Sequence, residues 1–313
     1  MRPTTSDPHQ PDVTICICTC RRPDGLERLL HDLAAIDWDG PLEVVVIDND
    51  AEREGIAVCE ALANGYRWPL RWAFEPRRGI SHARNHSIRL ALTSNPDFIA
   101  TLDDDEWPSR QWLRALLQVQ KATDADIVGG PVLPAFPQHS PPWVEQAQIC
   151  YGANQKVADG GPCRLHASGN FIARTRCFDA LAPECFPSEF AHSGGEDDVF
   201  FRRLHAMGFR QHWSTQAIVW ESVPDSRLSL AWVRDRMILK GNIQIRMFRV
   251  QNPGLRHETV RWAKTMALLG TGATQYIAGL FHTPTRIRAW LNLWRARGKL
   301  QAHFGRTLTR PDT

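Results

Sequence analysis

Four short stretches of this 313-residue chain carry side chains able to do chemistry together. Asp103-Asp104-Asp105-Glu106 sets four carboxylates in a row directly after the apolar run Phe98 to Leu102. Like charges this close repel, and a divalent cation is their natural compensation. Mg2+ or Mn2+ held by one or two carboxylates plus a substrate diphosphate is a common arrangement. The D-x-D spacing of Asp103 and Asp105 then sends one carboxylate toward a nucleotide and one toward the metal. The competing reading is a solvated acidic turn in front of a helix capped by Ser109; the strand-end position favours chemistry. Asp48-Asn49-Asp50 follows a second apolar run, where a carboxylate can accept from a base N–H or a ribose hydroxyl, though Asp and Asn also suit plain turns. Arg77 to Asn85 joins three arginines to a Gly-entered helix start, which suits a diphosphate or a base edge and equally a solvated basic turn. Gly194 to Asp198 supplies a further carboxylate group at another helix start, where acidic residues also belong for dipole reasons alone.

These stations need elements to hold them. Val13 to Cys18 reads as a strand, with Cys16, Cys18 and Cys20 alternating toward one face as small hydrophobes. Pro23 opens a helix with Leu26, Leu29, Leu30 and Leu33 at helical spacing. Leu42 to Ile47 has the near-continuous apolar character of a strand buried on both faces. A helix over about 53–64, a strand over 71–74, a helix over 79–92 capped by Ser81, a strand over 98–102 and a helix from Ser109 to about Thr123 follow. This order predicts a mostly parallel α/β sheet with helices on both faces and ligands at the carboxyl ends of its strands. Thr19, Asp48 to Asp50 and Asp103 to Asp105 fall on that rim. Further on, 131–142, with five prolines, reads as an extended loop. Strands are expected over 166–172 and 217–220, and a helix from Gly194 to Gly208.

Composition narrows the class. Hydrophobic residues make up 43% and charged residues 23%, ordinary for a globular protein. The net charge of +3 hides a division: from Arg227 onward sixteen Lys and Arg face three Asp and Glu, a net of +13, leaving −10 on the preceding residues. No C-x-x-C pair occurs among the eight cysteines, which argues against zinc and disulfide frameworks. The polar stretch Met1 to Pro11 has no apolar core of a secretory signal, so a reducing cytoplasm is expected. Residues 265–285 carry no charge but hold three glycines and several threonines, marginal for a membrane span. Arg286 to Gln301 sets Ile287, Trp290, Leu291 and Trp294 at helical spacing among cations, an interfacial amphipathic pattern. Trp262, Trp290 and Trp294 suit a membrane-interface belt. Trp107, Trp213 and Trp220 are candidates to stack on a sugar, whereas Trp38, Trp68, Trp72, Trp112 and Trp232 read as packing residues.

Thr19-Cys20-Arg21-Arg22-Pro23, Asp48-Asn49-Asp50, Gly79 to Asn85, Asp103 to Asp105 and Glu196-Asp197 resemble, in this order, the family 2 glycosyltransferases of GT-A fold. Details such as IDNDAE, ISHARN, LDDDE and SGGEDDVFF look most like the family's bacterial exopolysaccharide (succinoglycan-type) branch. The resemblance covers residues 12–225. It implies a GT-A domain there, with a nucleotide-sugar half over 12–130 and an acceptor half over 131–225. Outside it, 1–11 is expected to be disordered, and charge and patterning make 226–313 a basic, helical, membrane-associating tail. It implies that Thr19, Asp48, Arg84 and Asp103 bind the donor nucleotide, that Asp105 binds Mg2+ or Mn2+, and that Asp197 is the general base. Glu196, Trp107 and Trp220 are acceptor-side candidates. The position before Glu221, where this branch often has a histidine, holds Trp220 here, leaving the third protein ligand of the metal open.

The implied reaction is an inverting hexosyl transfer. Asp197 takes the proton of an acceptor hydroxyl, and charge growing on the diphosphate leaving group is neutralised by the metal at Asp105. The expected donor is a UDP-sugar. The expected acceptor is a polyprenyl-diphosphate-linked glycan at the cytoplasmic face of the inner membrane. A nucleotidyltransferase acting on sugar phosphates is the rival enzyme, but it should show a Gly-rich loop after the first strand, and Cys16 to Cys20 has no glycine. A membrane-binding module without catalysis could use the basic tail alone. The acidic body argues against nucleic acid, and the missing G-x-G-x-x-G argues against a dinucleotide oxidoreductase.

Overall fold

The computed structural model describes residues 10–146, 154, 156–280 and 282–309. In chain order the elements are β1 (Val13–Thr19), α1 (Pro23–Ala34), β2 (Leu42–Asp48), α2 (Glu54–Ala63), β3 (Leu70–Phe74), α3 (Ile80–Leu92), β4 (Phe98–Asp103), β5 (Glu106–Pro108), α4 (Trp112–Thr123), β6 (Ile127–Gly129), β7 (Val132–Ala135), α5 (Pro142–Gln146), β8 (Phe171–Arg174), α6 (Thr175–Asp179), α7 (Glu196–Ala206), β9 (Gln211–Trp213), β10 (Val219–Ser222), α8 (Leu230–Gln251), α9 (Leu255–Ala278) and α10 (Thr283–His303). The chain forms two compact units, one of residues 1–132, 153–186 and 200–220, the other of residues 133–152, 187–199 and 221–313.

The first unit is built on a seven-stranded sheet of order β3-β2-β1-β4-β8-β6-β9. β1 pairs parallel with β2 and β4, β2 with β3, and β6 with β9, while β8 runs antiparallel to both neighbours. The mostly parallel α/β expectation holds. Alternation divides the core into two layers. Ile15, Ile17, Val44 and Val46 join the leucines of α1 and Trp112, Leu113 and Leu116 of α4. Cys16, Val45, Ile47 and Ile99 face the other way, onto α3 and the phenylalanines Phe171, Phe178, Phe186, Phe200 and Phe201.

Several boundaries differ from the sequence reading. Neither Ser81 nor Ser109 stands at an N-cap: α3 starts after Gly79 and α4 after Gln111, and neither of those residues caps its helix with its own side chain. The proline-rich stretch over 131–142 contains β7 and the start of α5 rather than loop alone. The strand expected over 166–172 begins only at Phe171, because the preceding residues spend their polar groups elsewhere, as shown below. The seven described cysteines are free thiols. Cys16 and Cys18 both turn toward Ser87 on α3, and burial pushes the Cys18 thiol up to about 12, as expected of inert packing cysteines.

In the second unit α10 packs against both α8 and α9. The α8–α10 crossing is a backbone contact: a Cβ on Gly298 would sit 1.8 Å from the Ile238 carbonyl oxygen, and one on Gly241 2.0 Å from that of Arg295. Ile287, Ala289, Ala296 and Ala302 of α10 are buried. Of the apolar stripe of α10, Ile287 is buried while Trp290, Leu291 and Trp294 are half-buried. Trp290 and Trp294 stack on each other at 6.0 Å, and Trp262 stacks on His303 at 4.1 Å. Among the described residues no helix is long and apolar enough to cross a membrane.

Candidate active site

Parallel register gathers the acidic stations of the first unit. Thr19 lies beside Asp48, Cys18 beside Asp103, and Asp48 beside Phe74. The carboxyl ends of β1, β2, β3 and β4 therefore make one rim, the ligand-binding side of an open α/β sheet.

On that rim the three aspartates after Leu102 have different tasks. Asp103, with a side chain 39% exposed, accepts from Arg84 Nη2 at 3.1 Å. Asp105, 17% exposed, accepts from Arg22 Nη1 at 3.0 Å. Asp104 is turned inward at 6% and accepts from Thr19 Oγ1 at 2.9 Å, the Cys20 amide at 3.4 Å and Arg22 Nη1 at 2.8 Å. Burial raises its carboxyl to about 6 against the opposing pull of Arg22. Burial also works against the Arg22 charge, but Asp104 and Asp105 outweigh it and hold the guanidinium above its ordinary value. The two outer carboxylates of D-x-D face outward and the middle one fastens the turn to the end of β1.

Glu106 closes the turn, its Oε2 accepting the Asp103 amide at 2.8 Å. It is 3% exposed and pressed on Gly169, where a Cβ would lie 2.2 Å from Oε1. The neighbouring residues are equally committed. The Ser168 carbonyl accepts the Thr101 hydroxyl. Asn170 takes the Trp112 indole N–H at 2.7 Å and donates to the carbonyls of Pro131 and Ala217 at 3.0 and 2.7 Å. The HASGN segment is thus a loop propping the acidic turn.

The second station is held by its own backbone. Asp48 is 1% exposed; Oδ1 accepts the Asp50 amide at 2.9 Å and Oδ2 the Ile56 amide at 3.1 Å, in the first turn of α2. Asn49 takes the task expected of Ser81, its Oδ1 accepting the Gly79 amide at 2.8 Å while Nδ2 donates to the carbonyls of Glu75 and Arg77. Arg78 reaches the Asn49 carbonyl at 2.7 Å and Asp50 at 3.3 Å. Arg84 is buried on α3 with Phe186 under its guanidinium. Asn49, Arg22 and Arg78 were not singled out from the sequence. Their signal, a polar residue inside each motif, does not by itself separate a supporting role from a binding role.

Trp107 and Trp220 stack at 6.4 Å with 21° between their planes, and Arg28 lies 4.7 Å over Trp107. Trp213 is in the core rather than on the surface. Trp38 and Trp112 are buried as expected.

Glu196 and Asp197 belong to the second unit. Glu196 is buried, Asp197 is half-buried, and Asp197 Oδ1 accepts the Asp198 amide at 2.7 Å. Gly194 and Gly195 both have positive φ, 81° and 105°, and the backbone of Gly195 runs against Ile243 and Met247 of α8. Phe190 and Val199 complete that contact, and Arg246 lies 5.1 Å over Phe190. The basic tail therefore seats the helix start that carries Asp197.

Among the described residues no group of three or more His, Cys, Asp or Glu gathers around a single point. Asp103 and Asp105 are hard oxygen donors, which suits Mg2+ or Mn2+, ions that keep water and take substrate phosphates beside one or two protein carboxylates. The donor set fits such a cation once a diphosphate completes it.

The family model "Glycosyl transferase family 2" matches residues 14–181. The chain is 34% identical over 246 residues to the succinoglycan biosynthesis protein ExoM of Rhizobium meliloti, covering 78% of this chain and 77% of that protein. Its fold is similar to the mannosyltransferase PcManGT from Pyrobaculum calidifontis, solved with GDP-Man and Mn2+, at TM-score 0.65 and 17% identity, covering 94% of this chain and 88% of that one. It is similar also to residues 1–349 of S. aureus TarS, solved with UDP-GlcNAc, at TM-score 0.54 and 13% identity, covering 94% and 92%. With the family model and that relative matching over most of its length, this chain belongs to the family 2 glycosyltransferases, and its sheet is that of the GT-A fold.

Proposed function

We propose that the protein is an inverting glycosyltransferase of bacterial surface polysaccharide synthesis, moving a hexose from a UDP-sugar to a polyprenyl-diphosphate-linked glycan. The observation that carries this reading is the acidic turn after β4, with Asp103 and Asp105 outward and Asp104 locked inward. The likeness to ExoM supports polysaccharide synthesis, and the ligands of PcManGT and TarS support a nucleotide-sugar donor.

In this reading Asp103 and Arg84 meet the donor, and Asp105 holds Mg2+ or Mn2+, which when bound supplies positive charge against the diphosphate leaving group. Thr19 and Asp48 bind the donor nucleotide at the ends of β1 and β2 and, being almost fully buried, also hold the floor of that site in shape. Asp197 accepts the proton of the acceptor hydroxyl, so that a single displacement inverts the anomeric centre. Trp107 and Trp220 offer apolar faces to a sugar ring, and Glu196, next to Asp197, belongs to the acceptor side. The protein works at the cytoplasmic face of the inner membrane as a peripheral enzyme, and the +13 tail supports attraction to anionic lipid.

A thermal-shift screen of UDP-, GDP- and dTDP-sugars with and without Mn2+ tests the donor side. Stabilisation by a UDP-sugar that requires Mn2+ is expected, and stabilisation that ignores metal counts against it. In the same assay Asp197→Asn keeps the donor shift while transfer falls by about 100-fold or more; retained turnover removes Asp197 as the base.

A further inference from the structure

We infer that Arg22 is the resident counter-ion of Asp105, anchored on Asp104, and that a divalent cation entering the site displaces it from Asp105 but not from Asp104. The inference rests on the reading of Asp105 as the metal ligand.

One guanidinium nitrogen, Nη1, serves both carboxylates, at 2.8 Å from Asp104 Oδ1 and 3.0 Å from Asp105 Oδ2. The two partners are not equivalent. Asp104 is 6% exposed and shares its oxygens with Thr19 Oγ1 and the Cys20 amide, so it cannot turn away without breaking three contacts. Asp105 is more exposed. The stem of Arg22 is held as well. Pro23 opens α1 directly behind it, and Arg21 takes a positive φ of 57° and pairs with Asp50 at 3.0 Å. The first turn of α1 lies on the acidic loop, where a Cβ on Gly25 would stand 2.6 Å from the Asp104 carbonyl oxygen. Arg22 is thus a half-exposed cation fixed beside Asp105. It competes with a metal ion for one carboxylate, and its planar fork of N–H donors suits phosphate oxygens once that carboxylate is taken. In this account Arg22 is a positioning residue that makes bare metal binding weak and ties it to arrival of the diphosphate.

The test is Mn2+ binding followed by electron paramagnetic resonance of the free ion, first with Mn2+ alone and then with UDP. Arg22→Gln removes the competing charge and should bind bare Mn2+ about threefold more tightly than the native protein. The same change made in Asp105→Asn should have no effect. Unchanged or weaker Mn2+ binding by a folded Arg22→Gln protein overturns the inference. If that variant does not fold, arginine labelling of the native protein with phenylglyoxal decides. Mn2+ should raise the labelling of Arg22 and added UDP should lower it, and labelling indifferent to Mn2+ overturns the idea. If Asp105→Asn binds Mn2+ as the native protein does, the metal lies elsewhere and the underlying assignment falls with it.

Discussion

At the scale of residues, exposure separates the aspartates that chemistry can use from the one that holds them. Asp103 and Asp105 are recognisable from their spacing alone. The inward Asp104 is equally acidic and adjacent, and only its contacts with Thr19, Cys20 and Arg22 reveal its task. Glu106 is similar: a fourth carboxylate in sequence, but a backbone clamp in the fold. Its seat depends on Gly169, because a methyl group there would enter the space of the Glu106 carboxylate. Gly169→Ala should destabilise the first unit by about 1–3 kcal/mol and lower transfer, since the Asp103 amide loses its partner. Equilibrium urea unfolding together with turnover checks this, and native values of both would show that the turn does not need the clamp.

At the scale of elements, periodicity located most strands and helices, and local capping rules failed where a distant side chain did the capping. Ser81 sits one residue inside α3, and the Gly79 amide goes to Asn49, thirty residues earlier. β8 starts later than the extended-looking HASGN suggests, because its Asn170 and Ser168 groups serve other segments. The tail is a packed helical unit whose charges are partly internal. Glu258 accepts from Arg249 Nη2 at 2.6 Å, Arg261 Nε at 2.9 Å and His303 Nδ1 at 2.8 Å. Arg249 above all holds its carboxyl down to about 2, against burial. A depressed carboxyl stabilises the fold above its ordinary value of 4.5 and loses that contribution as pH falls toward 2. Glu258→Gln should lower the melting temperature at pH 7 by roughly 2–5 °C and flatten the stability loss below pH 4.5. A melting curve at pH 7 and another near pH 3 check it; equal losses at both would mean that the charge is not the source.

At the scale of the whole molecule, the charge division acquires a physical carrier. Between Thr265 and Ala278 no exposed position of α9 bears a charge, and Met266, Tyr276 and Ile277 stand among them. Exposed Lys264 and Arg288 border this segment in sequence. We propose that this exposed, uncharged face of α9 meets lipid. Met266→Glu with Ile277→Glu should cut binding to phosphatidylglycerol vesicles about tenfold, and raised salt should weaken the native protein's binding. Co-sedimentation with such vesicles measures both, and equal binding by the variant would remove α9 from the contact. Truncation from Thr265 is the poorer test, since it deletes α10 and exposes what α10 covers on α8.

The sequence by itself determined the α/β order, the rim, the acidic stations and the family, because strand burial and short motifs are local: β-branched runs and carboxylates state their character where they stand. Only the tertiary structure decided which polar residues brace the rim and which stay exposed on it. It joined Asn49 to Gly79, Glu106 to Gly169, Arg22 to Asp104 and Asp105, and the Gly194-Gly195 turn to α8. Each of those pairings closes a loop between distant segments, and a one-dimensional pattern holds no record of which buried polar group finds which partner.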